Sequence, residues 1–167
     1  MPKSKLICLA GFIWISLLGT LLHFTYEWSG CNSFIGLFSA VNESVWEHMK
    51  LLFFPTAVFS IILYPFFRKR FPSFLTAWGF AVFTAMLLQT SVFYTYSGIV
   101  GKNIPAVDIL LFYVCSLVCS SLGVLFTKKN MNTGSLWGLA IFCLFAVFFF
   151  RFTNNSPDLG IFQIHLL

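Results

Sequence analysis

Five apolar stretches, each near twenty residues long, alternate with short polar breaks along the 167-residue chain. The pattern predicts helices over about Leu6–Phe24, Val45–Phe67, Phe74–Tyr94, Val107–Phe126 and Leu136–Phe152. At 1.5 Å per residue, about 20 residues cross a hydrocarbon core of roughly 30 Å, so each stretch is long enough to span a bilayer. Transmembrane β-strands would instead read as short alternating segments of roughly ten residues. The apolar runs are continuous, so the expected fold is an all-α membrane protein with five transmembrane helices. Arg68-Lys69-Arg70 with Pro72, Ser97-Gly98 through Pro105, and Lys128-Lys129-Asn130 through Gly134 form the later breaks. No internal repeat or soluble segment interrupts this order, and residues 1–167 read as a single multi-span domain.

Composition strengthens the picture. Hydrophobic residues make up 59% of the chain, charged residues 9%, and mean hydropathy is +0.89. Ordinary soluble domains carry about 25% charged residues. The net charge of +5 does not point to nucleic acid, because the basic residues sit in small clusters between apolar runs. The five cysteines form no CxxC pair, and only Cys31 lies in a loop, which excludes a disulfide framework and a thiolate zinc site.

The basic clusters orient the chain. Lys3, Lys5, Arg68, Lys69, Arg70, Lys128 and Lys129 fall on one side of the expected membrane, and Lys50, Lys102 and Arg151 on the other. Under the positive-inside rule the N-terminus is cytoplasmic and the C-terminus outside. The N-terminal run is expected to remain as an uncleaved first span, since His23 and Glu27 interrupt it. All five acids and all three histidines then gather at or near the outer face. Acids contribute little to topology rules, so this gathering is a separate regularity.

Its centre is a polar outer-face loop and helix start between spans one and two. Asn42, Glu43, Ser44, Glu47, His48 and Lys50 fall within nine residues beside a long apolar run. Ser44-x-x-Glu47 fits a capping box, and Trp46 suits an interfacial belt. Glu43, Glu47 and Lys50 share one helical face by spacing, with Ser44 and His48 on a neighbouring face. Two carboxylates one turn apart repel unless a proton, a cation or a base lies between them. Capping accounts for Ser44 and Glu47 but leaves Glu43 and His48 unexplained. His23 and Glu27 are also four apart at the outer end of span one, a spacing at which a carboxylate can steady a metal-binding histidine. Asp108 opens span four just after Pro105, where it reads either as a helix start or as an acid turned into the bundle. The candidate catalytic residues are Glu43 and Glu47, and the candidate metal ligands are His23, His48 and Asp108.

Elsewhere, packing is the expectation. Cys115, Cys119 and Gly123 repeat every four residues, and Gly11 and Gly19 punctuate span one. Small residues let membrane helices approach closely. Gln89 is expected to bond a neighbouring helix. The tail from Asn154 is apolar enough to lie on the bilayer or fold back into it, and the sequons at Asn42 and Asn154 lie too near the membrane to be expected glycosylation sites. His165, close to the end, is not expected to be essential.

At His23–Gly30 (HFTYEWSG), Val41–Pro55 (VNESVWEHMKLLFFP), Val107-Asp108-Ile109 and Asp158–Gln163 (DLGIFQ), the chain resembles a family of small multi-pass bacterial membrane proteins classified only as a domain of unknown function. The resemblance covers most of the chain. It implies a bacterial cytoplasmic membrane and brings no activity, ligand or functional residue.

Three functions fit these residues. The first is a non-enzymatic partner subunit, chaperone or sensor, in contact with the lipid bilayer and with a membrane protein partner or a second copy of itself. The second is a membrane-embedded hydrolase or transferase acting at the outer leaflet through a divalent metal, zinc by preference. The third is a small proton-coupled transporter, against which stands the absence of a charge at any span centre.

Overall fold

The computed structural model describes residues 2–129 and 133–163. Helices α1 (Pro2–Trp28), α3 (Val45–Phe67), α4 (Phe74–Val100), α5 (Pro105–Lys129) and α6 (Leu136–Asn154) are all long and apolar enough to cross a membrane. A short helix, α2 (Ser33–Gly36), lies between α1 and α3, and a 3-10 turn (Gly160–Phe162) follows α6. No strand occurs among the described residues. The α3 span starts and stops where hydropathy placed it. The others run on by up to six residues at an end, because interfacial residues continue a helix that the hydrocarbon-length pattern does not require.

Helices α1, α3, α4 and α5 form a closed ring in which each packs on the next, with α5 returning to α1, while α6 lies outside against α4 and α3. Two close approaches hold this arrangement. At Gly19 of α1, an added Cβ would run into the Leu51 carbonyl of α3 and the Phe112 ring of α5. That carbonyl is the one Pro55, lacking an N–H, cannot bond four residues on. The Pro55 carbonyl in turn accepts the indole N–H of Trp14 at 3.0 Å. At Gly138 of α6, a Cβ would collide with the α4 backbone at Leu75 and Thr76, and the Gly138 N–H donates to Thr76 Oγ1 at 3.0 Å.

Trp78 of α4 plugs one half of the ring. It is fully buried, it meets the Phe59 ring at a tilt with centroids 5.0 Å apart, and its rings lie over Gly11 and Gly123. Cys115, Cys119 and Gly123 are all buried on the inner face of α5, as expected of a packing stripe. On the outside, phenylalanines knit α6 to α3: Phe149 lies 5.1 Å from Phe53 and Phe150 5.9 Å from Phe54, centroid to centroid. The tail folds back far enough to set Phe162 4.9 Å from Trp46. His165 lies outside the described residues. The other half of the ring, at the end carrying the polar segment, is hollow.

Candidate metal centre at the mouth of an internal cavity

The segment 39–50 builds the polar end. Ser44 caps α3, accepting the Glu47 N–H on its hydroxyl at 3.4 Å, while Asn42 Oδ1 accepts the Ser44 N–H at 2.9 Å. The reciprocal half of the capping box is not made. The Glu47 carboxylate reaches past Ser44 to accept the Val41 N–H at 3.0 Å.

Glu47 is also bound to Lys50. Its Oε2 lies 2.6 Å from Lys50 Nζ, and its Oε1 accepts from Thr153 Oγ1 of α6 at 3.2 Å. Lys50 Nζ donates further to the carbonyls of Gly36 (2.8 Å) and Ser39 (2.9 Å) and to Thr153 Oγ1 (2.8 Å). Both residues are buried. Every donor of the ammonium has a partner, which is the condition under which a buried ion pair is tolerated. The pair ties α2, α3 and α6 together, and it turns Glu47 away from the histidines.

Glu43 precedes α3 and so does not continue the helical face of Glu47 and Lys50. Its carboxylate instead points at two imidazoles. Oε2 is 3.4 Å from His48 Nε2, Oε1 is 3.9 Å from His23 Nε2, and the two imidazole centroids are 5.3 Å apart. One ligand atom from each residue lies within 4.8 Å of the other two. His48 Nδ1 is 2.9 Å from the Ser44 carbonyl oxygen. A carbonyl cannot donate, so Nδ1 carries the proton, and Nε2 is the nitrogen turned to Glu43. In the neutral ring two electron-rich atoms then face each other, a contact that calls for a proton or a cation between them.

His23 is placed by a wedge in α1. The buried Ser39 hydroxyl donates to the Leu22 carbonyl and accepts the Tyr26 N–H at 3.0 Å and the Thr25 hydroxyl at 3.1 Å. It therefore sits inside the helix ladder one turn around His23, a known way to bend a helix. His23 Nδ1 is buried without a hydrogen-bond partner.

Below the cluster lies a cavity of about 660 Å³ lined by all four ring helices. Thr20, His23 and Phe24 come from α1, His48 and Leu51 from α3, Gln89 and Phe93 from α4, and Asp108, Leu111 and Phe112 from α5. Asp108 lines the cavity but is not one of the three converging residues. Its Oδ1 accepts the Tyr96 hydroxyl. Gln89 does not make the expected inter-helix bond: its side chain lines the cavity, and its Oε1 is buried and unpartnered. Glu27 is exposed beyond the cluster.

Capping left Glu43 and His48 over and spacing drew attention to His23; folding brings these three together, without the candidates Glu47 and Asp108. Lys50 and Gln89 were the less legible members. A lysine flanking a span reads as a topology charge, and a lone glutamine as an inter-helix bond, until the chain is closed around them.

Five apolar helices, with a polar cluster beside a mostly apolar cavity, define a multi-pass α-helical membrane protein. The family described as "Family of unknown function (DUF6512)" matches residues 1–166, and the chain belongs to it. No curated protein and no solved structure matches it.

Proposed function

We propose that His23, Glu43 and His48 bind a divalent metal, zinc by preference, and that the protein is a membrane-embedded metal-dependent hydrolase or transferase. The observation that carries this reading is the convergence of two imidazoles and a carboxylate from separate segments at the mouth of a chamber. Two histidines and one acid are a donor set used by catalytic zinc, which keeps its fourth position for water or substrate. Zinc–nitrogen bonds are about 2.0–2.1 Å, so the present spacing needs the three groups to close by about an ångström. The Ser44 carbonyl supports the His48 ring in the way outer-shell acceptors support zinc-bound histidines.

Bound zinc would polarise a substrate oxygen or bring the pKa of its water to about 7. Glu43 acts here as ligand. Glu47 is held by Lys50 and is not free to act as a base, which leaves Asp108, with one oxygen bound by Tyr96, as the other acid lining the cavity. Lys50 is committed to Glu47, which leaves seven basic residues flanking the opposite end of the bundle and only Lys102 and Arg151 flanking this one. This supports placing the cluster on the outer face of a cell membrane.

A non-enzymatic sensor or partner subunit remains the second reading. The sequestration of Glu47 favours it, since that leaves the metal with one fewer neighbouring base. Trp78, filling the ring below the cavity, argues against a carrier.

The test is metal analysis of detergent-purified protein after zinc loading and dialysis. The wild type should retain about one zinc per chain, and His23→Ala/His48→Ala should retain none while keeping its helical circular dichroism. Zinc-free wild type, or stoichiometric zinc in the double variant, overturns the proposal.

A further inference from the structure

The chamber holds more than a metal. Its walls are largely carbon, from Leu51, Phe93, Leu111 and Phe112, and its volume of about 660 Å³ lies in the range of small-molecule sites. Phe24 and Ile109 both line it and yet are 40% and 58% exposed, so the chamber borders the lipid-facing surface where α1 meets α5. Among the described residues, two polar atoms on its lining side chains have no protein partner: His23 Nδ1, within the cluster, and Gln89 Oε1, outside it on a side chain only 7% exposed. At membrane depth no bulk water compensates a buried acceptor. A group that completes this site must bring an N–H or O–H.

The Thr90 hydroxyl meets Met49 Sδ at 3.5 Å, which sets Gln89 level with the first turns of α3, close to the depth of His48. Across a bundle with helix axes 8–10 Å apart, Gln89 and the histidine cluster are separated by a span on the order of 5–10 Å, a few covalent bonds.

We infer that the chamber binds a single-chain amphiphile whose anionic or otherwise electron-rich head meets the His23/Glu43/His48 cluster, whose amide N–H or hydroxyl a few bonds away donates to Gln89 Oε1, and whose apolar chain lies along the Leu111 and Phe112 wall. This names the substrate class of the proposed metal site and rests on that reading for the head group alone. Entry is lateral, past Phe24 and Ile109.

The experiment compares matched probes on the full-length protein in detergent, by titration calorimetry. N-dodecanoylglycine carries the amide donor, and its ester isostere, dodecanoyl glycolate, lacks it. 2-Hydroxytetradecanoate against tetradecanoate makes the same comparison for a hydroxyl. Each is measured with EDTA and with zinc. With EDTA, one donor-bearing probe should bind at least about tenfold more tightly than its partner, the loss expected when a buried acceptor is left unpaired. Gln89→Leu should bring that ratio to about one. Equal binding within both pairs, a ratio unchanged in Gln89→Leu, or no binding of any probe overturns the inference. Zinc should tighten all these carboxylate probes alike. An intact donor preference without any zinc effect defeats the metal reading and leaves the amphiphile site standing.

Discussion

Lys50 Nζ lies 2.6 Å from Glu47 Oε2 with the two side chains 0% and 3% exposed, so the most distinctive acid–base pair of the chain belongs to its scaffold. Removing one member leaves the other charge buried alone. Lys50→Met should lower stability by about 3–5 kcal/mol, and Lys50→Met/Glu47→Leu should recover much of that loss. Thermal unfolding in a single detergent checks both. A double variant no more stable than Lys50→Met would show that Glu47 acts through Val41 and Thr153 and not through the lysine.

Ser39 should matter to metal binding without touching metal. Its hydroxyl lies between the Tyr26 N–H and the Leu22 carbonyl, and so sets the course of α1 around His23. Ser39→Ala is expected to weaken zinc binding by about 10–100-fold, the usual effect of losing support for a ligand. Zinc competition against a chromophoric chelator measures it, and an unchanged affinity would separate the wedge from the site.

Acid should empty the proposed metal site. Histidine binds metal only when its ligating nitrogen is unprotonated, so protons compete with zinc. Affinity is expected to be highest at neutral pH and to fall as pH drops through the titration of the imidazoles, approaching about a decade per pH unit for each histidine protonated. Zinc titrations at stepped pH give the curve. In His48→Ala the remaining dependence should be shallower by about one proton.

The α4–α6 contact should tolerate nothing larger than glycine. A Cβ at Gly138 meets the α4 backbone at Leu75 and Thr76, so Gly138→Ala should force α6 outward and reduce the yield of folded protein. Gly98, also helical, has open space around it. Gly98→Ala should be neutral or stabilising by up to about 1 kcal/mol through helix propensity. Size-exclusion profiles and melting temperatures of the two variants compare the sites directly.

The amino-acid sequence by itself determined that this is an all-α membrane protein of five spans, because continuous apolar runs near twenty residues have one stable solution in lipid. It also indicated where polar chemistry gathers, since the histidines and acids are few and fall in segments on one side of the predicted spans. Only the tertiary structure decided which of those residues meet. Glu43 and Glu47 share a face by spacing alone, yet the helix begins after Glu43, and the two carboxylates part: one goes to the histidines, the other to Lys50. Asp108 faces the chamber but is held by Tyr96. The chamber was equally invisible in the chain. It exists because Trp78 fills one half of a four-helix ring and nothing of comparable size fills the other. Local periodicity specifies helices, whereas the meeting of side chains from different helices depends on which glycines let those helices approach and which large rings keep them apart.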